Sequence, residues 1–281
     1  MSVILKQNQY GKSRVRLLKV GRGTPRHDLF EWMVDIHLEG DFESAHRAGD
    51  NSRILPTDTM KNTVFALAAD TKATSPEAFG LELARHFLDR NPPVSRVGID
   101  VSETPWQRLP GNGAAGHDHA FVRGGSERRQ ASITLDRQAV AVTGGLDGLL
   151  VMKTAHSAFS GFLRDAWTTL ADTDDRIFRT VISARWSWEP GTTDFGPFEA
   201  ARRHLLEVFA AHDSRSVQET LMAMGEAVLS GVSAISEIRL SLPNQHCLPV
   251  NLAPFGLPNR NEIFIVTEEP HGLIEATIGR R

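Results

Sequence analysis

Only one cysteine, Cys247, occurs among 281 residues, so no intrachain disulfide can form. A reducing compartment is the simpler setting for such a chain. No apolar run approaches the roughly 20 residues that a membrane-crossing helix needs. The first residues, MSVILKQNQYGKSR, hold too short an apolar stretch for a secretory signal. The last, IEATIGRR, carry no Ser-Lys-Leu peroxisomal address, so a cytoplasmic location is expected. A charge excess is missing as well: 31 Lys and Arg face 34 Asp and Glu, a net charge of -3. That balance gives no reason to expect a polyanionic partner, because nucleic-acid binders usually show a concentrated basic excess. The nearest basic cluster, Arg202-Arg203-His204, falls in a helical pattern and reads as a solvated face.

Several catalytic signatures are missing too. No Gly-x-Ser-x-Gly elbow occurs and Cys247 has no catalytic setting, which leaves covalent acyl transfer without an anchor. His117 and His119 would share one side of a strand, but no third ligand follows at a metal-site spacing. They read as a polar strand edge or a hydrogen-bonded pair, and no metal is expected. Gly111-Asn112-Gly113-Ala114-Ala115-Gly116 spells the dinucleotide-binding glycine pattern. That motif works only between a strand and a helix N-terminus, where free N–H groups meet the pyrophosphate. Here a strand-like run, His117–Val122, follows, so the glycines read as a loop and no nucleotide cofactor is expected.

What is present is ordinary globular material, 41% hydrophobic and 23% charged, long enough for a sizeable core. Phe30, Trp32, Val34, Ile36 and Leu38 alternate along one strand face, and Phe178, Thr180, Ile182, Ala184, Trp186 and Trp188 along another. Helical spacing follows each strand, at 58–70 and 76–90 after the first and at 197–212 and 216–230 after the second. Strand candidates at 94–103 and 117–123 close the first half, and 235–242 and 246–252 the second. The order strand-strand-helix-helix-strand-strand is therefore expected twice, over 1–140 and 141–281, in an α+β protein with antiparallel sheets. Trp and Ile on the far sheet faces call for a cover, hence an assembly.

Six segments fall in one order along nearly the whole chain. They are Asn8–Lys12 with the strand Val15–Val20; Gly40–Phe42 and Gly49–Asn51 leading to Pro56–Val64; Leu149–Thr154 through Ser157–Asp165 to Arg176; Ser216–Gln218; Leu242–His246; and Gly272–Thr277. Together they resemble the urate oxidase (uricase) family. The resemblance implies two tandem T-fold units per chain, a homotetramer around a barrel, and active sites between subunits. It further implies oxidation of urate by O2 and water to 5-hydroxyisourate and hydrogen peroxide, without metal or organic cofactor.

Roles follow by resemblance, residue by residue. Arg176 resembles the guanidinium that grips the purine bidentately, Gln218 the amide on the other side of the ring edge, with the Val217 backbone assisting. Phe159 resembles the ring that stacks beneath the purine. Lys12, Thr57 and His246 match a proton relay in which a buried, neutral lysine accepts a proton through the threonine hydroxyl. Asn244 resembles the amide that, with Thr57, holds oxygen or water above the ring; Asp58 would act through its backbone. Read without the resemblance, these residues are a surface arginine after an acidic run, an exposed first-turn glutamine, a core phenylalanine, a strand-start lysine, a helix N-cap and a loop histidine.

Three positions depart from the family pattern. Gln245 stands where Lys is common, Ala155 where a hydroxyl is usual, and Trp167 where Tyr or Phe is customary. The alternatives are a non-catalytic purine-binding relative, and a T-fold enzyme acting on another heterocycle. The latter anchor their ring through a glutamate, whereas Gln218 is an amide.

Overall fold

The computed structural model describes residues 3–111 and 116–280. Two compact units emerge: Met1–Gly145 with Ser187–Gly196, and Leu146–Trp186 with Pro197–Arg281.

In the first unit, β1 (Tyr10–Gly21), β2 (Asp28–Gly40), β3 (Val94–Thr104) and β6 (Arg128–Asp136) pair antiparallel in that order. A short helix α1 (Glu43–Ala48) precedes α2 (Thr57–Asp70) and α3 (Pro76–Arg90). The period-2 pattern sets the core: Trp32, Val34, Ile36 and Leu38 are fully buried, as are Val97, Ile99 and Val101. From α3, Phe79, Leu83 and Phe87 meet them, with Phe79 stacked on Trp32 at 4.8 Å between ring centroids. Each such side chain contributes about 1.5–3 kcal/mol by leaving water. Ser75 fixes where α3 starts, its hydroxyl accepting from the Ala78 N–H at 3.2 Å with Pro76 at the first helical position.

The second unit repeats this plan. β7 (Val140–Lys153), β8 (Phe178–Trp188), β9 (Ile235–Pro249) and β10 (Phe264–Gly279) stand in that order, with β9 and β10 antiparallel; the start of β7, to Gly145, and the last two residues of β8 count with the first unit. Helices α4 (Phe198–Ala211) and α5 (Val217–Gly231) lie between β8 and β9 in sequence. Every residue expected on the inner face of β8 is buried, and Phe209 of α4 lies 5.1 Å from Phe178. Ser216 caps α5 as Ser75 caps α3, accepting from the Glu219 N–H at 3.1 Å.

The repeat is closer than element order alone suggests. α2 and α4 each have 14 residues and start at 57 and 198; α3 and α5 each have 15 and start at 76 and 217. The next strands start at 94 and 235, the same 141-residue offset. Even the C-terminal caps correspond. Lys19 donates to the Thr71 carbonyl at 2.6 Å after α2, and Lys153 to the His212 carbonyl at 2.6 Å after α4.

Three strand expectations need correction. Of 117–123 only β5 (Phe121–Arg123) is a strand, and it pairs with β4 (Trp106–Arg108) in a separate ribbon. Pro105 lies between β3 and β4 and lacks the N–H a continuous ladder would use. The first unit closes on β6 instead, where only Ala131 and Ile133 face the core and the alternation is too brief to see. In the second unit, 235–242 and part of 246–252 belong to one long strand, β9, and the closing strand is β10. Four of the six residues in the Gly111–Gly116 run lie outside the described residues.

Candidate active site

A cavity of about 460 Å³ opens in the second unit. Phe159, Arg176, Val217, Gln218, Asn244 and His246, six of the expected site residues, all line it. Its wall is completed by apolar side chains, Leu170, Ile177 and Ile274 among them. A pocket this size suits a small planar molecule.

Local geometry explains the convergence. Val217 and Gln218 are the first two residues of α5, so their N–H groups belong to the unpaired first turn. A 15-residue helix therefore points its positive end at the cavity, a setting that favours an anion. The segment 156–176 is tied to the residues just before α5. Ala158 N–H donates to the Ser214 carbonyl at 2.7 Å, Ser214 N–H to His156 at 3.0 Å, and Arg176 N–H to Ser157 at 2.7 Å. Asp175 accepts from the Ser157 N–H at 3.2 Å, and Phe159 bridges Thr173 in both directions. These bonds hold Phe159 and Arg176 beside the helix start, with the guanidinium 5.2 Å from the ring centroid. Burial pushes the Arg176 pKa down from its ordinary value, yet an arginine stays charged at neutral pH. Asn244 and His246 come to the cavity from β9, two residues apart, with Gln245 between them in the same lining.

The remaining three expected residues, Lys12, Thr57 and Asp58, belong to the first unit and do not line this cavity. They form a cluster of their own. The positive charge of Lys12 acts on the Asp58 carboxyl, which also pairs with Lys61 at 2.5 Å and accepts from Asn62 at 3.0 Å. Those bonds hold its pKa below the ordinary carboxylate value, the Lys61 hydrogen bond contributing most. Lys12 sits at a bulge of β1: its partner is Ile36, while Val15 pairs with Val34. Arg14 takes a positive φ of 60° there, and its N–H donates to Asp35 at 2.8 Å. Bulges re-aim side chains in this way.

Two details differ from the sequence reading. Thr57 is not the N-cap of α2; Pro56 is, and no side chain caps the helix. Thr57 is instead the first helical residue, since Pro56 already holds the extended backbone a cap needs. Lys12 is half-buried, not buried, because its strand-end position leaves one side open.

His117 and His119 stack edge to face at 4.6 Å, with the His119 N–H donating to His117 Nδ1 at 3.3 Å. They lie outside regular strand and line no part of this cavity. Among the described residues no group of three His, Cys, Asp or Glu is placed to hold a metal. No helix among them is long and apolar enough to cross a membrane.

The uricase family model matches residues 8–134 and 142–275. The chain belongs to the uricase family. A uricase of Arthrobacter globiformis is 44% identical over 99% of this chain and 90% of its own length. One of Dictyostelium discoideum is 38% identical over 97% and 96%. The crystal structure of the Arthrobacter globiformis uricase superposes with a TM-score of 0.93 at 43% identity, covering 100% of this chain and 96% of that one. Family membership accounts for the α+β architecture and its repeated order.

Three neighbours of the cavity residues escaped the sequence reading. Phe162 stacks on Phe159 at 4.9 Å with planes 8° apart, and Asp175 anchors the loop. Phe162 lies within Ser157–Asp165 and Asp175 directly precedes Arg176, so proximity in sequence was the available signal. The third, Arg179, donates to Gln245 from an adjacent strand and left no local signal.

Proposed function

We propose that this chain oxidises urate with O2 and water to 5-hydroxyisourate and hydrogen peroxide, at a site that two copies share. The carrying observation is the lining of one cavity by Phe159, Arg176, Val217, Gln218, Asn244 and His246 at the start of α5. Urate at neutral pH is a planar anion with a row of amide-like edges. The Arg176 fork and the Gln218 amide match that edge, the Val217 N–H adds a donor, and Phe159 offers a ring to stack on. The helix N-terminus favours the negative charge.

Lys12, Thr57 and Asp58 complete the site from a second copy, which a homotetramer of tandem T-fold units (1–140 and 141–281) closed into a barrel supplies. Thr57 and Asp58 begin α2 as Val217 and Gln218 begin α5, so the ring would lie between two helix starts. Lys12 takes a proton from urate through the Thr57 hydroxyl, and His246 replenishes the relay. The electron-rich dianion reduces O2, with Thr57 and Asn244 holding the oxygen above the ring. A hydroperoxide adduct forms, hydrogen peroxide leaves, and water adds at the same carbon. Orientation, charge and proton transfer are the protein's share, so neither metal nor organic cofactor is needed. A cytoplasmic location suits the single cysteine.

The test follows urate absorbance, oxygen uptake and peroxide with metal-stripped protein. One peroxide formed and one O2 consumed per urate, without added cofactor, is the expected result. Binding of 8-azaxanthine without turnover would replace the enzyme with a purine-binding protein.

A further inference from the structure

The two residues on the oxygen side, Asn244 and His246, are held by a stretch of β9 that its neighbour abandons. His246 pairs with Thr267 of β10 and Asn244 with Gly272, so Glu268, Glu269, Pro270 and His271 stand opposite Gln245 alone. The β9–β10 ladder is interrupted at that point. Pro270 has no N–H to restore it. Something else must fix the backbone between the two side chains.

Gln245, between Asn244 and His246, lines the same cavity and is only 9% exposed. Its amide oxygen accepts from Nη1 of Arg179, which sits on β8, the neighbour on the other side. Nη2 of the same guanidinium reaches Glu268 Oε1, at 3.4 Å, in the looped-out part of β10. One planar fork therefore ties β8, β9 and β10 together where the ladder fails. A lysine could reach only one of these partners with comparable geometry. A cation at 245 would face the guanidinium directly, which gives a physical reason for a neutral amide there. The Arg179 side chain is itself only 14% exposed and Glu268 71%, so the bond to Gln245 is the sheltered arm of the fork.

We propose that Arg179 and Gln245 are a positioning pair that sets the aim of Asn244 and His246. This rests on the reading of the cavity as a urate site. The pair acts on the oxygen and proton steps rather than on ring binding, which Arg176, Gln218 and Phe159 carry on other segments.

The experiment compares Gln245→Leu and Gln245→Glu with the wild type. Leucine keeps the volume and loses the acceptor; glutamate keeps the acceptor. The Leu variant should lose about 10- to 100-fold in kcat, the scale of a site displaced by an ångström. Its affinity for 8-azaxanthine should stay within about twofold of wild type, the ring-binding residues being undisturbed. The Glu variant should recover most of the kcat. Arg179→Ala should resemble Gln245→Leu, and the double variant should be no worse than either. The His246 imidazole NMR resonances should shift in the Leu variant and return in the Glu variant, whether or not urate turns over. Wild-type kcat in Gln245→Leu, or loss of kcat and analogue affinity in parallel, overturns the pair. An inactive wild type would sink the urate reading instead. In that case unchanged His246 resonances would overturn the pair on their own.

Discussion

At the residue scale, Arg176 is the side chain whose chemistry is least replaceable. Its guanidinium is half-buried beside Phe159 at the mouth of a helix dipole, so a ligand edge meets a charge with little competing water. Arg176→Lys keeps the charge and loses the fork. Analogue affinity should fall about 10- to 100-fold, the worth of one or two charge-assisted hydrogen bonds, as titration calorimetry would read. Unchanged affinity would remove Arg176 from ring recognition. Glu219 is a second case, in the first turn of α5. Hydrogen bonds from Arg215, at 2.9 Å from Nε and 3.0 Å from the backbone N–H, hold its pKa down from 4.5 to about 2. A depressed carboxyl stabilises the fold above its unfolded value, and the gain disappears as pH falls through its folded one. Glu219→Gln should therefore lower Tm at neutral pH, and its deficit against wild type should shrink between pH 4.5 and 2. A deficit that grows on acidification would mean that the ionised Glu219 carboxylate does not stabilise the fold.

At the element scale, helices and inner strands were legible in the sequence because each buries one face against a core. α3 was expected over 76–90 and is found there, since Ser75, Pro76 and the run Phe79, Leu83, Phe87 specify start and face together. β10 was missed because its burial barely alternates: of 16 residues only Ile278 is buried, and Pro270 and Gly272 interrupt it. β6 was missed because its alternation, Ala131, Ile133 and Leu135, is short and only the first two are buried. The site was legible only through the resemblance. Helix starts such as Val217-Gln218 and Thr57-Asp58 look alike by propensity, and the loop bonds that carry Phe159 to α5 join residues far apart in sequence. β1 offers a test at this scale. A Cβ on Gly11 would fall onto the Ile36 carbonyl oxygen, a backbone atom that cannot yield without parting β1 from β2. Gly11→Ala should cost about 1–3 kcal/mol in denaturant unfolding and disturb Lys12 beside it. A neutral outcome would mean that the two strands separate there at no cost.

At the scale of the whole molecule, a single chain presents much that an assembly would cover. Leu150 and Met152 of β7 and Ile265, Val266 and Leu273 of β10 are each about half exposed or more, on strands whose other neighbours are paired. Exposed apolar side chains of this kind are what a contact between proteins would cover. In the proposed account it is the surface that brings Lys12 and Thr57 of one copy to Arg176 of another. The direct measurement is complementation. Thr57→Ala and Arg176→Gln are each expected to be nearly inactive, one lacking the relay and the other the ring anchor. Dissociated together and reassembled at equal amounts, random hybrids hold both intact halves at about a quarter of their sites. The account predicts that urate oxidation returns to about a quarter of the wild-type rate per site on mixing. Mixtures as inactive as their parents, in confirmed hybrid oligomers, would contradict a site shared between two copies.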